Sequence, residues 1–368
     1  MDIYWILVFL IFLVGIPIQP HLSKRKAKCY LWIIFIMLFV VSAFRAYSVG
    51  ADTIEYVRIF KNIKWIDITK SRYETGFLKY VLLLHSISSN PTILIAVSSA
   101  FCIGVTCFFV YKYSKNPILS MMLYILLGEY FSQMNIMRQA IALGIMEISF
   151  MIILENNSKK SSVLSFALMI VATLFHSAAI IGIIPWLLIV IIYRMNININ
   201  FVKMMKYTAI AVIALSMLYS VVIQIVSVLI PKYADYFDST WSDSNYNASL
   251  YNTLIQLSFG VIGLIILKNK RLNKIQLFSA VLLSMSIVFN IMSMRMEIWN
   301  RIAILFNVYT YLIWSPEILS EIKIARNRVV VYSVIILCSC LYMWIVLTYR
   351  PEWSSVVPYI FKGMSDTL

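Results

Sequence analysis

Residues 24–44 read KRKAKCYLWIIFIMLFVVSAF, in which four basic residues are followed by a run of sixteen residues that carry no charge. A helix needs about 20 largely apolar residues to cross a bilayer, and a basic flank is typical of its cytoplasmic end. Apolar runs separated by short polar breaks recur along the whole chain. The sequence therefore predicts an all-α, polytopic membrane protein.

The overall composition agrees with this fold class. Of 368 residues, 61% are hydrophobic and 13% are charged, and the mean hydropathy is +0.85. A soluble chain is about 45 to 50% apolar and about 25% charged, so we expect a single integral membrane domain over residues 1–368. The sequence has no P-loop, no GxGxxG motif and no CxxC pair. These absences argue against nucleotide, zinc and disulfide sites, and we predict neither a metal nor a cofactor.

We expect twelve membrane spans from the apolar runs, and no feature of the first run indicates a cleaved signal. The runs are Ile3–Ile18, Cys29–Phe44, Thr92–Tyr111, Pro117–Asn135, Ala140–Leu154, Ser162–Phe175, Ala178–Tyr193, Tyr207–Ile230, Leu250–Leu267, Ile275–Ser293, Ile298–Trp314 and Val329–Leu347. Two assignments stay open. Residues 162–193 fit one long helix or a hairpin that turns at His176 and Ser177, and Gly76–Ile87 fits a span or a helix at the membrane surface.

Basic residues orient the spans, because cytoplasmic loops carry an excess of Lys and Arg. We place Gly76–Ile87 at the outer surface and the hairpin turn at His176. The loops on the cytoplasmic side then hold 18 basic and three acidic residues, and the acidic ones are Glu155, Glu317 and Glu321. The difference equals the net charge of +15, so the charge reports orientation and does not indicate nucleic acid. Both termini are outside, and the outer segments are 45–91, 231–249 and the C-terminal tail 348–368.

Two charged stretches on the outer side are candidates for function. The excess of basic residues in cytoplasmic loops does not account for charges at the outer ends of spans, which are costly to place there. The first contains Arg45 and the sequence GADTIEY at Gly50–Tyr56. Asp52 in this sequence either caps the helix that carries Tyr56 or takes part in chemistry. The second contains Arg138, whose guanidinium presents a fork of donors that fits phosphate or carboxylate. The alternative for Arg138 is a side chain that reaches to the lipid headgroups.

His176 lies in the middle of 32 apolar or small residues. An ionisable residue inside a membrane marks a site or a pathway more often than it does in a soluble core. Glu129 and Glu147 are its predicted countercharges. The alternative is a hydrogen-bonded packing residue.

Residues 295–301, RMEIWNR, form the densest charge cluster next to a span. Arg295, Asn300 and Arg301 fit a clamp for a second anionic group. Alternatively, Glu297 and Arg301 pair with each other at the i, i+4 spacing of a helix.

The outer segment 231–249, PKYADYFDSTWSDSNYNAS, interleaves aromatic and acidic residues. Aromatic faces beside polar groups suit sugars, and Trp241 is the residue that we single out for this role. The alternative is a belt of aromatic residues at the headgroups. The spacing of the acidic residues is not that of a calcium-binding EF-hand.

Five short motifs in a fixed order carry a resemblance to a known family. They are Arg45, Gly50-x-Asp52-Thr53-x-x-Tyr56, Glu74-x-Gly76-Phe77, Met137-Arg138-Gln139-x-x-Ala142 and Phe175-His176-Ser177-Ala178. With them, the chain resembles the EpsG/Wzy-type polysaccharide polymerases of bacteria, and its fold is expected to resemble the GT-C-type membrane glycosyltransferases. The resemblance extends from the first spans to about Arg301, whereas the segment 231–249 and the C-terminal tail are not diagnostic.

The resemblance implies glycosyl transfer on the outer face of the bacterial plasma membrane. A glycan on undecaprenyl diphosphate is moved onto a sugar hydroxyl of the next lipid-linked repeat unit, which builds O-antigen, capsule or exopolysaccharide and releases undecaprenyl diphosphate. No cofactor is implied. The implied partners are the lipid-linked donor and acceptor, the surrounding membrane lipids, a chain-length regulator and a flippase.

The resemblance also suggests roles for individual residues. Arg138 and Arg301, together with Arg45 and Arg295, are expected to bind the diphosphate, which builds negative charge as it leaves. An acceptor hydroxyl needs a base, and the available residues are His176, Asp52 and Glu74. The further candidates for substrate binding are Tyr56, Gln139, Asn300 and Trp241.

Two other classes of protein fit the same composition. A lipid-linked oligosaccharide flippase or another transporter also has about twelve spans, although transporters often show internal repeats and charges at mid-membrane depth, and this sequence shows neither. An O-antigen ligase uses the same donor with a different acceptor. Sequence chemistry barely separates the ligase from the polymerase.

Overall fold

A computed structural model describes residues 1–16, 23–156, 158–197, 199–229, 246–268 and 270–363, and within these ranges all regular structure is helical. The α-helices are α1 (Asp2–Gly15), α2 (Lys24–Ala43), α3 (Thr53–Asn62), α4 (Thr75–Ile87), α5 (Thr92–Tyr113), α6 (Pro117–Leu126), α7 (Glu129–Asn135), α8 (Met137–Glu155), α9 (Lys159–Thr173), α10 (Ile183–Arg194), α11 (Phe201–Met217), α12 (Tyr219–Leu229), α13 (Tyr246–Leu267), α14 (Lys274–Ser293), α15 (Ile298–Tyr309), α16 (Ser315–Ser320), α17 (Ala325–Tyr349) and α18 (Pro351–Ser354). Two 3₁₀ segments, Ile63–Trp65 and Ser177–Gly182, and a π-helical turn, Thr310–Trp314, accompany them.

Eight helical segments in the described ranges are long and apolar enough to cross a membrane. They are Lys24–Ala43, Thr92–Tyr113, Met137–Glu155, Ser177–Arg194, Ala248–Leu267, Lys274–Ser293, Ile298–Ser320 and Ala325–Tyr349. The helices α1, α4 and α6 are apolar but shorter. The protein is therefore a multi-pass membrane protein, and the count of twelve crossings stays a prediction.

Two predicted spans are divided in the structure. The run Pro117–Asn135 forms α6 and α7, because Gly128 adopts a φ of +85°, and this left-handed conformation ends a right-handed helix. The run Tyr207–Ile230 is divided at Leu218, between α11 and α12. Hydropathy did not indicate either break, since both sides of each break are apolar.

The ends of the observed helices test two further predictions, for residues 162–193 and for the run Ile298–Trp314. Residues 162–193 do not form one long helix, because α9 ends at Thr173 and a 3₁₀ segment precedes α10. The run that is predicted to end at Trp314 continues as helix to Ser320. Glu317, expected in a cytoplasmic loop, therefore lies inside a candidate span and is buried. The predicted location of Glu317 in a cytoplasmic loop was therefore wrong.

The chain forms two compact units, one of Met1–Ile180 with Ile324–Leu368 and one of Ile181–Lys323. In the first unit α8 packs against α5, α7 and α9, α2 packs against α5, and α6 packs against α1 and α17. Ser149 on α8 and Ser165 on α9 each donate a hydrogen bond to the other's carbonyl oxygen, at 2.8 and 3.0 Å. Small polar residues of this kind let two membrane helices approach closely. A single membrane domain stays a prediction.

The C-terminal segment, residues 350–363, packs against the N-terminal part of its own unit. The Gly50 N–H donates a hydrogen bond to the Ser355 carbonyl oxygen at 2.7 Å, and the Ala46 N–H donates to the Ile360 carbonyl oxygen at 2.8 Å. Further bonds run from the Lys362 N–H to the Phe44 carbonyl oxygen and from the Tyr4 hydroxyl to the Val356 carbonyl oxygen. The segment therefore supports the turn that precedes α3.

In the second unit α14 packs against α10, α11, α13 and α15. Asn273 and Gln276 form a capping box at its first turn, which satisfies backbone donors that the helix itself leaves open. Inside the unit, Asn290 and Ser286 both donate hydrogen bonds to the side-chain oxygen of Asn307, at 2.7 and 2.6 Å. These polar groups are buried, and each bond compensates for their lost contact with water.

Candidate functional site

Two motifs that lie far apart in the sequence meet at the start of α4. The Phe77 N–H donates a hydrogen bond to the Leu174 carbonyl oxygen at 3.2 Å. A Cβ atom on Gly76 would lie 2.7 Å from the same oxygen, which is closer than real Cβ contacts come. The absence of a side chain at Gly76 thus lets α4 rest on this backbone, and it brings Glu74 close to His176.

Glu74 is the centre of a polar cluster in the first unit. Its Oε2 atom pairs with Arg138, and the two side chains are only 10% and 18% exposed. Its Oε1 atom accepts hydrogen bonds from the Ser177 N–H and hydroxyl, both at 3.2 Å. His176 is buried and interacts electrostatically with the Glu74 carboxylate. We name Glu74, Arg138, His176 and Ser177 the Glu74 cluster.

The charge state of Glu74 follows from these neighbours. Burial by itself would raise the pKa of the Glu74 carboxyl. The Arg138 guanidinium, followed by His176, outweighs this effect and holds the pKa below its ordinary value of 4.5. Glu74 is therefore ionised at neutral pH.

Aromatic rings surround the guanidinium of Arg138. Its central carbon lies 5.0 Å from the ring centre of Tyr73 and 6.0 Å from that of Phe77. Tyr56 packs edge-on against Phe77, with ring centres 5.7 Å apart, and burial raises the pKa of Tyr56 to about 12. Among the described residues, no acceptor bonds to the buried Nε atom of Arg138. Arg138 therefore has one enclosed donor that the described protein atoms leave unsatisfied.

Asp52 lies at the start of α3, as expected, but its side chain makes no capping bond. The capping interpretation of Asp52 was therefore wrong. Its exposed carboxylate accepts a hydrogen bond from the Tyr56 hydroxyl at 3.5 Å, the limit of such a bond. The turn before it depends on Gly50, whose φ is +93°. Asn135 joins this turn to α7, because its side-chain oxygen accepts the Ala51 N–H at 2.9 Å.

Arg45 is buried, and most of its hydrogen bonds go to backbone carbonyl oxygens. Its guanidinium donates to the carbonyl oxygens of Ser42, Val49 and Met134, and the side chain is 1% exposed. These bonds fix the end of α2 against α7. The geometry favours a structural role, and binding of the diphosphate by Arg45 stays a prediction.

The predicted countercharges of His176 have other surroundings. Glu129 and Glu147 are both buried, and Glu147 accepts a hydrogen bond from the Thr106 hydroxyl at 3.3 Å. The carboxylate that interacts with His176 is Glu74. Gln139, next to Arg138 on α8, is also buried.

Three predicted residues belong to the second unit. Arg295 is exposed and donates a hydrogen bond to the Ser216 carbonyl oxygen at 3.3 Å, while Asn300 and Arg301 are half-buried at the start of α15. Trp241 lies outside the described residues. The substrate-binding roles of these four residues stay predictions.

Sequence reasoning missed several residues of the site. Ser177 was named in a motif but given no role, although a hydroxyl directly after His176 was a visible signal. Tyr73 directly precedes Glu74, but nothing in the sequence indicates that its ring packs against the Arg138 guanidinium. Asn135 had no signal at all, because its two contacts, with Ala51 and with the Ser354 carbonyl oxygen, arise only in the folded chain.

In the described ranges, no three His, Cys, Asp or Glu side chains are placed as ligands of one metal ion. Both oxygens of Glu74 accept hydrogen bonds from the protein. The chemical groups available in the Glu74 cluster are a carboxylate, a guanidinium, an imidazole and a hydroxyl.

Replacing Gly76 with alanine is expected to destabilise the protein by about 1 to 3 kcal/mol, the typical cost of forcing an extra methyl group into a packed interior. The new Cβ atom must push α4 away from Leu174. Gly104→Ala is the matched control, because its Cβ atom would meet only Phe35, at an ordinary 3.5 Å. Thermal unfolding in detergent measures both variants, and equal melting temperatures would contradict the close approach of α4.

Replacing Glu74 with glutamine is expected to cost about 3 kcal/mol at neutral pH, because Arg138 loses its buried partner. The pKa of Glu74 is depressed in the folded protein, so the wild-type advantage is complete above the ordinary value of 4.5. It is lost as the pH falls through the lower folded value. Unfolding of both proteins from neutral pH down to pH values well below 4.5 tests this, because the advantage is lost only there. A difference in stability that widens toward acid pH would be inconsistent with the ion pair.

Comparison with known families agrees with these motifs. The model of the EpsG family matches residues 28–361, so the similarity continues beyond Arg301 and includes most of the C-terminal segment. The expected limit at Arg301 was therefore too short. No curated protein and no protein of solved structure matches the chain. On the extent of the family match, the chain belongs to the EpsG family.

Proposed function

We propose that this protein is a glycosyltransferase that polymerises lipid-linked oligosaccharide repeat units on the outer face of the bacterial plasma membrane. The donor is a glycan on undecaprenyl diphosphate, and the acceptor is a sugar hydroxyl of the next lipid-linked repeat unit. Membership of the EpsG family and the multi-pass helices support this proposal. The observation that carries it is the Glu74 cluster, in which an anion-binding guanidinium lies beside groups that can accept a proton.

In the proposed reaction, the acceptor oxygen forms a bond to the anomeric carbon of the donor glycan. The bond between this carbon and the diphosphate oxygen breaks, and the electron pair leaves with the undecaprenyl diphosphate. The proton of the acceptor hydroxyl moves to a base on the protein. Negative charge thus develops on the diphosphate, where a preorganised cation lowers the barrier most effectively.

Arg138 supplies that cation. Glu74 holds the guanidinium through one carboxylate oxygen, and the rings of Tyr73 and Phe77 limit its movement. The guanidinium binds oxygen atoms of the diphosphate, and the Tyr56 hydroxyl, which also interacts with Arg138, helps to orient it. Holding a cation in place before the reaction avoids the cost of reorganising it in the transition state.

His176 is the proposed base, and Glu74 is its positioning residue. A carboxylate beside an imidazole stabilises the positive charge that the imidazole gains with the proton. Ser177 fixes the orientation of Glu74 with two hydrogen bonds. Asp52 is the second candidate for the base, since its carboxylate is exposed and contacts Tyr56. Comparing His176→Ala with Asp52→Asn separates the two, because loss of the base is expected to lower the rate about 100-fold.

The product of a cell without this protein tests the function itself. Single repeat units on the lipid carrier, exposed outside, are expected for a missing polymerase. Carrier-linked polymer that is never transferred would instead indicate a ligase, and repeat units trapped inside would indicate a flippase. Restoration of polymer by the wild-type chain completes the test. A chain-length regulator and a flippase are the proposed protein partners of the polymerase.

A further inference from the structure

A groove between α2 and α5 opens on the side of the first unit, and no residue of the Glu74 cluster is among those that form it. Its volume is about 320 Å³, which is at the lower end for sites that bind small molecules. The residues that form it include Lys28, Trp32, Phe35, Gly104, Phe108 and Tyr111. The rings of Trp32 and Phe108 are 57% and 47% exposed. Both helices are candidate membrane spans, so the groove opens toward lipid.

The depth of the groove depends on Gly104. A Cβ atom at this position would have only the Phe35 ring within 4 Å, so a larger side chain would extend into the groove. Along α2, Lys28 and Phe35 are separated by about 10 Å, given the rise of an α-helix. The groove is therefore an elongated apolar slot with a cation at one end.

The cationic end has no compensating acid on α2. The helix begins with Lys24, Arg25, Lys26 and Lys28, and its first turn contains no acidic residue. Among the described residues, no carboxylate lies within ion-pair distance of Lys28, which is exposed. Lys112, over the Phe108 ring at 4.8 Å, is a second cation nearby, and it pairs with Glu155.

We propose that this groove binds one anionic phospholipid, with its phosphate at Lys28 and one acyl chain along Trp32, Phe35 and Gly104. The groove is too small for an α-helix of a partner protein, because one helical turn, about 10 Å across and 5.4 Å long, is larger than the volume of about 320 Å³. A single acyl chain is much thinner. The Lys28 end matches an anionic headgroup, because each basic residue near an anionic membrane surface adds attraction. Trp32 and Tyr111 are amphipathic rings of the type found at the headgroup level.

Native mass spectrometry of the full-length protein in detergent tests this site. The probes are phosphatidylglycerol and phosphatidylcholine with identical acyl chains. The wild type is expected to bind one phosphatidylglycerol in preference to phosphatidylcholine by about fivefold, and Lys28→Gln is expected to remove that preference. Lys159→Gln is the matched control, because Lys159 is also exposed in the first turn of a helix but lies outside the groove.

A second variant tests the slot itself. Gly104→Leu is expected to weaken the binding of both lipids, whereas Gly104→Ala is expected to leave that binding unchanged. If the leucine variant does not fold, Lys28→Gln still tests the proposal. Unchanged preference in Lys28→Gln, or equal wild-type binding of the two lipids, would overturn the proposal. Stoichiometric displacement of phosphatidylglycerol by undecaprenyl phosphate would also overturn it, since the groove would then belong to the carrier lipid. The proposal does not depend on the proposed glycosyl transfer.

Discussion

Polymer formation is expected to fall by at least about 100-fold when Arg138 is replaced with alanine, which is the usual loss when one preorganised donor to a developing negative charge is removed. The substitution also leaves Glu74 without its cation in a nearly enclosed site. Polymer length is measured by gel analysis of surface glycan, at matched levels of the inserted protein. Single lipid-linked repeat units are expected to accumulate at the same time.

Two further variants separate charge from geometry. Arg138→Lys keeps the charge but loses the fork of donors, so it is expected to recover only a small part of the activity. Arg58→Ala is the control, because Arg58 is 67% exposed and pairs with Glu55 on the surface of α3, where ion pairs contribute little. Full-length polymer from Arg138→Ala would rule out this residue as the cation for the leaving diphosphate.

Removal of the C-terminal segment after Tyr349 is expected to reduce polymer at least tenfold, although the segment provides no residue of the Glu74 cluster. Gly50 loses the Ser355 carbonyl oxygen as its acceptor, and Ala46 loses that of Ile360. Each buried N–H left without a partner costs about 1 to 3 kcal/mol. The turn before Asp52 therefore moves, and Tyr56 moves with it.

A shorter truncation and a point variant control this experiment. Ending the chain after Gly363 keeps every contact described for the segment, so normal polymer is expected. Asn135→Ala leaves the segment in place but removes the bonds to Ala51 and to the Ser354 carbonyl oxygen, and an intermediate loss of activity is expected. Normal polymer from the chain that ends at Tyr349 would show that the turn keeps its conformation without support.

Much of the helical structure could be predicted from the sequence, and the exceptions have physical causes. The predicted run Thr92–Tyr111 corresponds to α5, Thr92–Tyr113, because a long apolar run between polar flanks has few other solutions. The break at Gly128 could not be predicted from hydropathy. It depends on one backbone angle, and glycine in an apolar run is compatible with either an intact or a divided helix.

The individual residues of the site could be predicted from the sequence, but the contacts between them could not. Arg138, Glu74 and His176 were each singled out by residue type and location. The contacts of Glu74 with Arg138 and with Ser177 join positions that are 64 and 103 residues apart, and such pairs are set by helix packing. The countercharges predicted for His176 were Glu129 and Glu147, on the spans that flank Arg138, whereas the carboxylate that interacts with His176 is Glu74.

The C-terminal segment also affects when the site can form. The bond between Tyr4 and Val356 joins positions 352 residues apart, and chains are synthesised from the N-terminus while earlier parts already fold. The turn at Gly50 therefore obtains its acceptor on Ser355 only after the chain has been made as far as residue 355. An incompletely synthesised chain contains Arg138, Glu74 and His176 but lacks the support for Asp52 and Tyr56. The turn that carries Asp52 and Tyr56 is thereby expected to reach its final conformation only once the segment 350–363 has been made.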